Sequence, residues 1–222
     1  MAVQKNTVEL LGYYGSDETH ACSAWTSTSR DIDEGKRARI PKMLVDLAGN
    51  GHHTPFEKSS LHFMVDSEVA SHIHILKHRI GASVNAESAR YKELKEDKYY
   101  IPPEFYDTPM NPQYSMGWYE TWADALIDKS EELNHLYHGA IADLEKQWGR
   151  KRAKEIARYF KMYNSQIEAD VMFNWRSFYH FQTLRNSEHA QKEIMWIADE
   201  MLTLVKNIEG NPFEHTIAAF KL

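Results

Sequence analysis

The chain has 222 residues, of which 42% are hydrophobic and 26% charged, a composition typical of a folded globular protein. Its net charge of −6 weighs against broad binding to nucleic acid or membranes, and no apolar run approaches the roughly 20 residues that a membrane-spanning helix needs. The single cysteine, Cys22, excludes an internal disulfide, and the first residues lack the apolar stretch of a signal peptide. Both observations favour a cytoplasmic protein.

The spacing of apolar residues along the first half predicts strands and helices in turn. In chain order these are a strand over 8–14, a helix from Ile40 that stops at Gly49 and Gly51, a strand over 59–68 and a helix over 68–79. The polar stretch that follows, up to Tyr91, predicts a loop. Four prolines between residues 102 and 112 predict a second, irregular loop.

The second half is predicted to be mostly helical. In chain order it contains a long amphipathic helix from Trp118 to Trp148, a helix over 149–160, a strand over 166–175, a helix over 176–185 and a helix over 188–208. The last helix is expected to have Ser187 as its N-cap and to bury Ala190, Ile194, Ala198, Met201 and Val205. Strands among long helices, without regular βαβ alternation, predict a single α+β domain over 1–222 with a mixed sheet and long flanking helices.

Several familiar catalytic motifs are absent from the sequence. There is no G-x-G-x-x-G or Walker A loop and no G-x-S-x-G elbow. Cys22 could act as a nucleophile, but a lone cysteine is more often a small buried hydrophobe. His74 and His78 share a helix face, which leaves a metal-dependent enzyme as an alternative. Lys77 and Arg79 flank the pair, and these cations repel a metal ion and attract an anion.

Four separated segments are rich in cations and hydrogen-bonding groups. They cover residues 51–58, 77–91, 157–158 and 174–194. Their cations are Lys77, Arg79, Arg90, Arg158, Arg176 and Arg185. Arginine pairs well with phosphate because its planar fork can donate two parallel hydrogen bonds. The set therefore favours a phosphate-bearing ligand, although solvated helix faces with surface ion pairs are the plain alternative.

These segments resemble the flavin-dependent thymidylate synthases. The family hallmark R-H-R-x-x-S-x-N-x-x-S-x-R-Y is matched by Lys77-His78-Arg79 followed by Ser83, Asn85, Ser88, Arg90 and Tyr91. Its G-H-x-[ST]-P-F-E-H segment is matched at 51–58, and its N-x-R-S, L-R and A-Q-x-E-I segments at 174–177, 184–185 and 190–194. The order of the motifs is kept, and the resemblance covers roughly residues 8 to 220.

The resemblance implies a reductive methylation of dUMP to dTMP without an enzyme nucleophile. Methylenetetrahydrofolate would supply the carbon, and FAD reduced by NADPH would carry the hydride. The family forms homotetramers whose active sites are shared between subunits. No resident metal is implied.

The resemblance also assigns residues to two binding sites. The FAD contacts would be Thr54, Glu57, Lys77, His78, Arg79, Ile80, Asn85, Glu87, Asn174, Arg176, His180 and His189. The nucleotide contacts would be His74, Lys77, Glu87, Ser88, Ala89, Arg90, Arg158 and Arg185. Arg185 is the expected catalytic residue, because its fixed positive charge can stabilise negative charge that develops on the pyrimidine ring.

Four positions depart from the family pattern. Lys77 replaces the first arginine of R-H-R, and His74 stands where a glutamine is usual. Three residues rather than two separate Arg79 from Ser83, and the carboxylate of the usual N-E pair comes one place later, at Glu87. These departures keep two alternatives open. One is C5 modification of another pyrimidine nucleotide, by a UMP methylase or hydroxymethylase, and the other is a flavin- or nucleotide-binding protein without catalysis.

Overall fold

A computed structural model describes residues 3–29 and 31–222. Its strands are β1 Thr7–Tyr14, β2 Ser60–Glu68, β3 Ala82–Ala86 and β4 Gln166–Phe173. They form one sheet in the order β1-β2-β4-β3, and the predicted α+β class is confirmed. The sheet is antiparallel, where strands of both directions were expected.

Helices and short 3₁₀ turns make up most of the remaining described chain. The helices are α1 Asp17–Trp25, α2 Glu34–Arg37, α3 Ile40–Gly49, α4 Val69–Leu76, α5 Pro103–Asp107, α6 Pro112–Ser115, α7 Trp122–Ala157, α8 Trp175–Arg185, α9 Lys192–Lys206 and α10 Glu214–Phe220. The 3₁₀ turns are Thr54–Lys58 and Arg158–Phe160. No helix among the described residues is both long enough and apolar enough to cross a membrane.

The strongly periodic elements were predicted correctly, and the polar ones were not. The strands β1, β2 and β4 and the helices α3, α4, α8 and α9 are confirmed. The predicted loop up to Tyr91 contains β3, and the proline-rich loop contains α5 and α6. The helices α1 and α10 were not predicted. The long helix begins after Thr121, whose side chain forms a capping box with Asp124, so Trp118 lies outside it.

The start of α9 and the break in α7 were both predicted from the sequence, and only the break is confirmed. Ser187 is not the N-cap of α9, because residues 187–190 form a turn in which the Ala190 N–H donates to the Ser187 carbonyl. The helix starts at Lys192, and Ala190 is consequently only half-buried. The predicted division near residue 149 is confirmed: Gly149 interrupts α7 with φ 74° and ψ 153°, a backbone conformation open to glycine.

The described chain forms two compact units. We call Thr7–Val65, His74–Asn85 and Asp170–Leu222 the aromatic-core unit. We call the described part of Met1–Asn6, together with Asp66–Ile73 and Ala86–Ala169, the long-helix unit. The expectation of a single domain over 1–222 stays a prediction.

Large rings fill the interior of the aromatic-core unit. Trp175, at the start of α8, is fully buried and stacks on Phe213 with the ring centroids 4.9 Å apart. Phe56 in the first 3₁₀ turn is also fully buried and meets Phe220 of α10 edge-on at 4.7 Å. Burial of each such ring removes a large apolar area from water, so the motif-bearing ends of these elements have a rigid base.

The long-helix unit has smaller buried clusters along α7. Tyr99 and Ile101 pack against Ala123 near the start of the helix. Further along, Tyr137 and Ile141 pack with Ala157. The buried Tyr137 hydroxyl accepts a hydrogen bond from the Leu94 N–H at 3.1 Å. The chain between residues 94 and 101 is thereby fastened to the helix.

Candidate active site

The loop after α4 is docked on the first turn of α8 in the aromatic-core unit. The Asn174 N–H donates to the Gly81 carbonyl at 2.9 Å, and the Ser177 hydroxyl donates to the Ile80 carbonyl at 2.5 Å. Asn174 is the N-cap of α8, since its Oδ1 accepts from the Ser177 N–H at 2.9 Å. The loop 77–81, which contains Lys77-His78-Arg79, is therefore joined to the N-x-R-S segment at 174–177 through its backbone carbonyls.

Gly81 makes this close approach possible. Its φ is +63°, and a Cβ at this position would lie 2.3 Å from Asn174 Nδ2 and 2.4 Å from Ser177 Oγ. A side chain would therefore face both backbone strain and a steric clash. The longer spacing between Arg79 and Ser83 includes this glycine, and sequence reasoning gave it no role.

His78 and Arg185 form the most specific contact among the predicted site residues. The Arg185 Nε donates to His78 Nε2 at 3.1 Å, so the proton of the neutral imidazole lies on Nδ1. His78 is buried and packs edge-on against Phe181 and His180. Burial, followed by the positive charge of Arg185, lowers the His78 pKa to about 4. The ring is thus a neutral hydrogen-bond acceptor for Arg185 at physiological pH.

Arg185 keeps donors available for a ligand. It lies at the end of α8 and is half-buried. The only hydrogen bond from its side chain to another described residue uses Nε. The terminal nitrogens of its guanidinium therefore remain free to bind an acceptor on a ligand.

The first 3₁₀ turn contributes an ion pair at the surface of the same unit. Arg176 Nη1 donates to Glu57 Oε1 at 2.6 Å, and both side chains are partly exposed. Such exposed pairs add little to stability, but they place the two charges next to each other. Thr54, at the start of the turn, is exposed.

A buried network below this turn was missed from the sequence. His20 in α1 is fully buried, with Nε2 2.8 Å from Ser59 Oγ and Nδ1 2.9 Å from Thr216 Oγ1. The Thr216 hydroxyl donates to Asp17 at 2.5 Å, so Nδ1 carries the ring proton and Ser59 donates to Nε2. Burial lowers the His20 pKa to about 4. The network ties α1 and α10 to the end of the motif at 51–58.

The other predicted flavin residues of the aromatic-core unit have exposed side chains. Thr54, Lys77, Arg79, Asn85 and His189 are exposed and make no side-chain hydrogen bond to another residue in the described ranges. Ile80 is 90% exposed and His180 is exposed beside His78. His74, a predicted nucleotide residue of this unit, is half-buried. These exposed residues offer two cations without a side-chain partner in the described ranges, hydroxyl and amide groups and an apolar side chain.

The remaining predicted nucleotide residues belong to the long-helix unit. Arg90 donates from Nε and Nη2 to Glu155 Oε1 in α7, at 3.3 and 3.2 Å. The Arg90 N–H also contacts the Ser88 hydroxyl at 3.3 Å. Arg158 follows directly after α7 and is exposed. Glu155 and Arg158 are three residues apart, so they begin from the same face of the helix end.

Two further contacts hold the segment 88–93 against the end of α7. Lys154 Nζ donates to the Tyr91 carbonyl at 2.5 Å, and Arg150 Nη2 donates to Glu93 Oε2 at 2.7 Å. Both cations lie beyond the break at Gly149. The last turns of α7 therefore carry the residues that position Ser88, Ala89 and Arg90.

Glu87 is occupied by protein partners. Its carboxylate accepts from Lys92 and from the Glu168 N–H, the latter at 3.2 Å. Its own N–H donates to the Glu168 carbonyl at 2.8 Å. The carboxylate that departs from the family spacing is thereby fixed next to β4.

Within the described ranges, no group of three or more histidine, cysteine, aspartate and glutamate side chains could hold a metal ion, and Cys22 is half-buried.

The fold and these contacts define an α+β protein in which cationic motif residues are held by contacts within each unit, Arg185 by His78 in the aromatic-core unit and Arg90 by Glu155 in the long-helix unit. The family described as "Thymidylate synthase complementing protein" matches residues 9–209, and the chain belongs to that family.

Individual relatives agree with this assignment. The chain is 28% identical over 208 residues to a flavin-dependent thymidylate synthase of Pseudothermotoga lettingae, covering 93% of this chain and 87% of the relative. It is 30% identical over 200 residues to one from Clostridium tetani, covering 85% and 74%. A crystal structure of the UMP/dUMP methylase PolB from Streptomyces cacaoi, bound with 5-Br dUMP, has the same fold, with a TM-score of 0.74 at 22% identity, over 100% of this chain and 97% of that one.

Proposed function

We propose that the protein is a flavin-dependent thymidylate synthase that converts dUMP to dTMP. The observation that carries the proposal is the hydrogen bond between Arg185 and His78, residues 107 positions apart. The bond joins the L-R segment to Lys77-His78-Arg79. It leaves the terminal nitrogens of the half-buried Arg185 guanidinium free to donate to a ligand. The match to the family over residues 9–209 and the names of the curated relatives support it.

The donor set of the aromatic-core unit fits FAD. Lys77, Arg79 and Arg176 supply positive charge for an anionic cofactor, and Thr54 and Asn174 supply polar side chains. Glu57, His78, Ile80, Asn85, Glu87, His180 and His189 complete the proposed FAD contacts. When bound and reduced by NADPH, the flavin supplies the hydride for the reaction.

The protein's own contribution is binding and charge stabilisation. Arg185 would face the pyrimidine, and its charge would favour an electron-rich ring and so a more nucleophilic C5, which attacks the carbon derived from methylenetetrahydrofolate. Arg90 and Arg158 would bind the phosphate as bidentate cations. His74, Lys77, Glu87, Ser88 and Ala89 would complete the nucleotide site. No nucleophilic side chain is required.

We also propose the family's assembly, a homotetramer whose active sites are shared between subunits. The partners would be small molecules only, without nucleic acid or membrane. The cytoplasmic location expected from the single cysteine stays a prediction.

A second candidate function is C5 modification of another pyrimidine nucleotide, such as UMP. It is favoured by the fold shared with a protein described as a UMP/dUMP methylase. It is also favoured by Glu87, because this carboxylate is held by Lys92 and the Glu168 N–H and has less freedom to contact a sugar or base. A third candidate is a flavin- or nucleotide-binding protein without catalysis.

Side-by-side turnover separates these candidates. Purified protein with FAD, NADPH and methylenetetrahydrofolate is given dUMP or UMP, and the product is identified by mass spectrometry. Formation of dTMP supports the first proposal, and methylation or hydroxymethylation of UMP alone supports the second. An absorbance spectrum with a flavin band but no product from either nucleotide supports the third. A protein that takes up no added FAD refutes the flavin assignment.

A further inference from the structure

Arg90 uses only one edge of its guanidinium group within the protein. Both of its side-chain hydrogen bonds, from Nε and Nη2, go to the single oxygen Oε1 of Glu155. Among the described residues, Nη1 and the second N–H of Nη2 have no acceptor. The free edge presents two parallel donors, the geometry that suits bidentate recognition of a phosphate.

Glu155 is itself held in place. Its second oxygen, Oε2, accepts from Arg152 Nη1 at 3.2 Å, one turn earlier in α7. The Glu155 side chain is 17% exposed, whereas that of Arg90 is 45% exposed. Hydrogen bonds from Arg152 and then Arg90 lower the pKa of Glu155, so the carboxylate stays ionised at neutral pH. The exposed arginine is therefore fastened to a less mobile carboxylate on the helix.

We propose that Glu155 is a positioning residue for phosphate recognition, which holds Arg90 so that its free edge faces the nucleotide phosphate. The inference rests on the proposed function, in which Arg90 binds that phosphate. Because Glu155 lies three residues before Arg158, it also brings the Arg90 guanidinium toward the face from which Arg158 extends. Glu155 does not touch the nucleotide; it acts through Arg90.

Glu155 should affect phosphate binding in two opposite ways: it favours binding by orienting Arg90, and its negative charge opposes binding. Substitutions can separate these two effects. A carboxylate close to a phosphate weakens anion binding by Coulomb repulsion. Glu155→Gln removes the charge but keeps an oxygen at the same reach, whereas Glu155→Asp keeps the charge and withdraws the oxygen from Arg90. If Glu155 positions Arg90, Glu155→Asp should weaken dUMP binding and Glu155→Gln should not. A general loss of structure would not produce this difference.

The experiment measures the dUMP affinity of flavin-loaded protein by calorimetry and the dUMP KM and kcat by turnover. Glu155→Asp and Glu155→Ala are expected to raise Kd and KM for dUMP roughly tenfold with kcat nearly unchanged, since an orienting charge-assisted hydrogen bond is lost. Glu155→Gln is expected to bind dUMP at least as tightly as the wild type. Competition by deoxyuridine, which lacks the phosphate, should be the same in all variants. Glu132→Ala, which removes an exposed ion pair with Lys129 near the start of α7, is the matched control and should bind dUMP normally.

The outcomes distinguish this inference from the function on which it rests. Weaker dUMP binding by Glu155→Asp together with retained binding by Glu155→Gln supports positioning. Unchanged or tighter binding by Glu155→Asp and Glu155→Ala overturns it, and so does a Glu155→Gln variant as weak as Glu155→Ala. If the wild type binds FAD but neither dUMP nor UMP, the proposed function fails instead.

Discussion

The loop 77–81 and the segment 88–93 both carry motif residues, but they are held in different ways. The first is attached to the start of α8 by hydrogen bonds to its backbone carbonyls, with Gly81 in close contact and His78 buried. The second is attached to the end of α7 by the long side chains of Arg90, Lys154 and Arg150. Backbone anchoring fixes a loop in one geometry, whereas exposed ion pairs can break and re-form at little cost. A permanently bound cofactor suits the first arrangement, and a substrate that enters and leaves suits the second.

The largest effect is expected from Gly81→Ala. The alanine would have to adopt a left-handed backbone conformation, which costs about 1 kcal/mol, and its Cβ would lie within 2.4 Å of Asn174 Nδ2 and Ser177 Oγ. We expect a loss of roughly 3 kcal/mol in the free energy of unfolding and loss of FAD binding. Urea unfolding and flavin absorbance would measure both.

A matched glycine provides the control for that substitution. Gly139 lies inside α7, and outside the neighbouring backbone of its own helix no described atom lies within 4 Å of the position that a Cβ would take. Gly139→Ala is expected to raise stability by about 1 kcal/mol, because alanine favours a helix interior, and to leave flavin bound. Equal flavin binding by both variants would show that the loop 77–81 is not rigidly held.

The next largest effect concerns Arg185. Arg185→Ala is expected to retain flavin while turnover falls about a hundredfold, the usual result of losing one electrostatic group at the reacting centre. It should also raise the pKa of His78, which the Arg185 charge helps to lower, and NMR titration of the imidazole would show this without any assay of activity. Arg37→Ala, which breaks an exposed ion pair with Glu18, should change neither quantity. Unchanged turnover in Arg185→Ala would refute the catalytic role.

Acid should weaken the aromatic-core unit through His20. The folded-state pKa of His20 is about 4, below the ordinary 6.5, so the unfolded chain takes up the proton first as pH falls. Stability is therefore constant above about pH 6.5 and decreases between 6.5 and 4, by roughly 3 kcal/mol for His20. The ionised Glu155 carboxylate also stabilises the folded protein, because its pKa is lowered there. This stabilisation is lost at more acidic pH, as the pH falls through the folded-state pKa of Glu155.

Urea unfolding between pH 7 and 4, roughly the range in which histidines titrate, would test this. His20→Gln removes one titrating group, and its stability should fall less steeply with acid than that of the wild type. The same slope in both proteins would contradict the assignment of His20 as a buried neutral group.

The fold was predictable where one face of an element is apolar. Strand β2 alternates Leu61, Phe63 and Val65 with more exposed neighbours, and this pattern was readable from the sequence. Strand β3 was not predicted because it is short and polar, with Ser83 and Asn85 exposed. Helix α1 has a weak apolar face, although Ser16, which caps it, followed by Asp17 and Glu18, is a typical helix start.

The sequence predicts the candidate site as a set of residues but not as a set of contacts. Motif matching indicated Arg90, Arg185 and His78 without their partners. Their contacts join residues 65 and 107 positions apart, which no local pattern reports. Glu155 lies in an ordinary charged stretch of helix, and Gly81 has no side chain that could mark it. Both acquire a role only through the residues that the fold brings to them.

The smallest effect should separate the two loops by salt alone. At about 1 M salt the screening length falls to roughly 3 Å, so the exposed pairs of Arg90 and Arg150 weaken. We expect amide hydrogen exchange in the segment 88–93 to rise about twofold relative to low salt, while exchange in the loop 77–81 stays the same because its anchors are backbone hydrogen bonds and steric contact. Glu145→Ala, which removes one of the two Arg150 partners, should make exchange near Glu93 more sensitive to salt. An equal response of both loops would mean that charge pairs do not hold the segment 88–93.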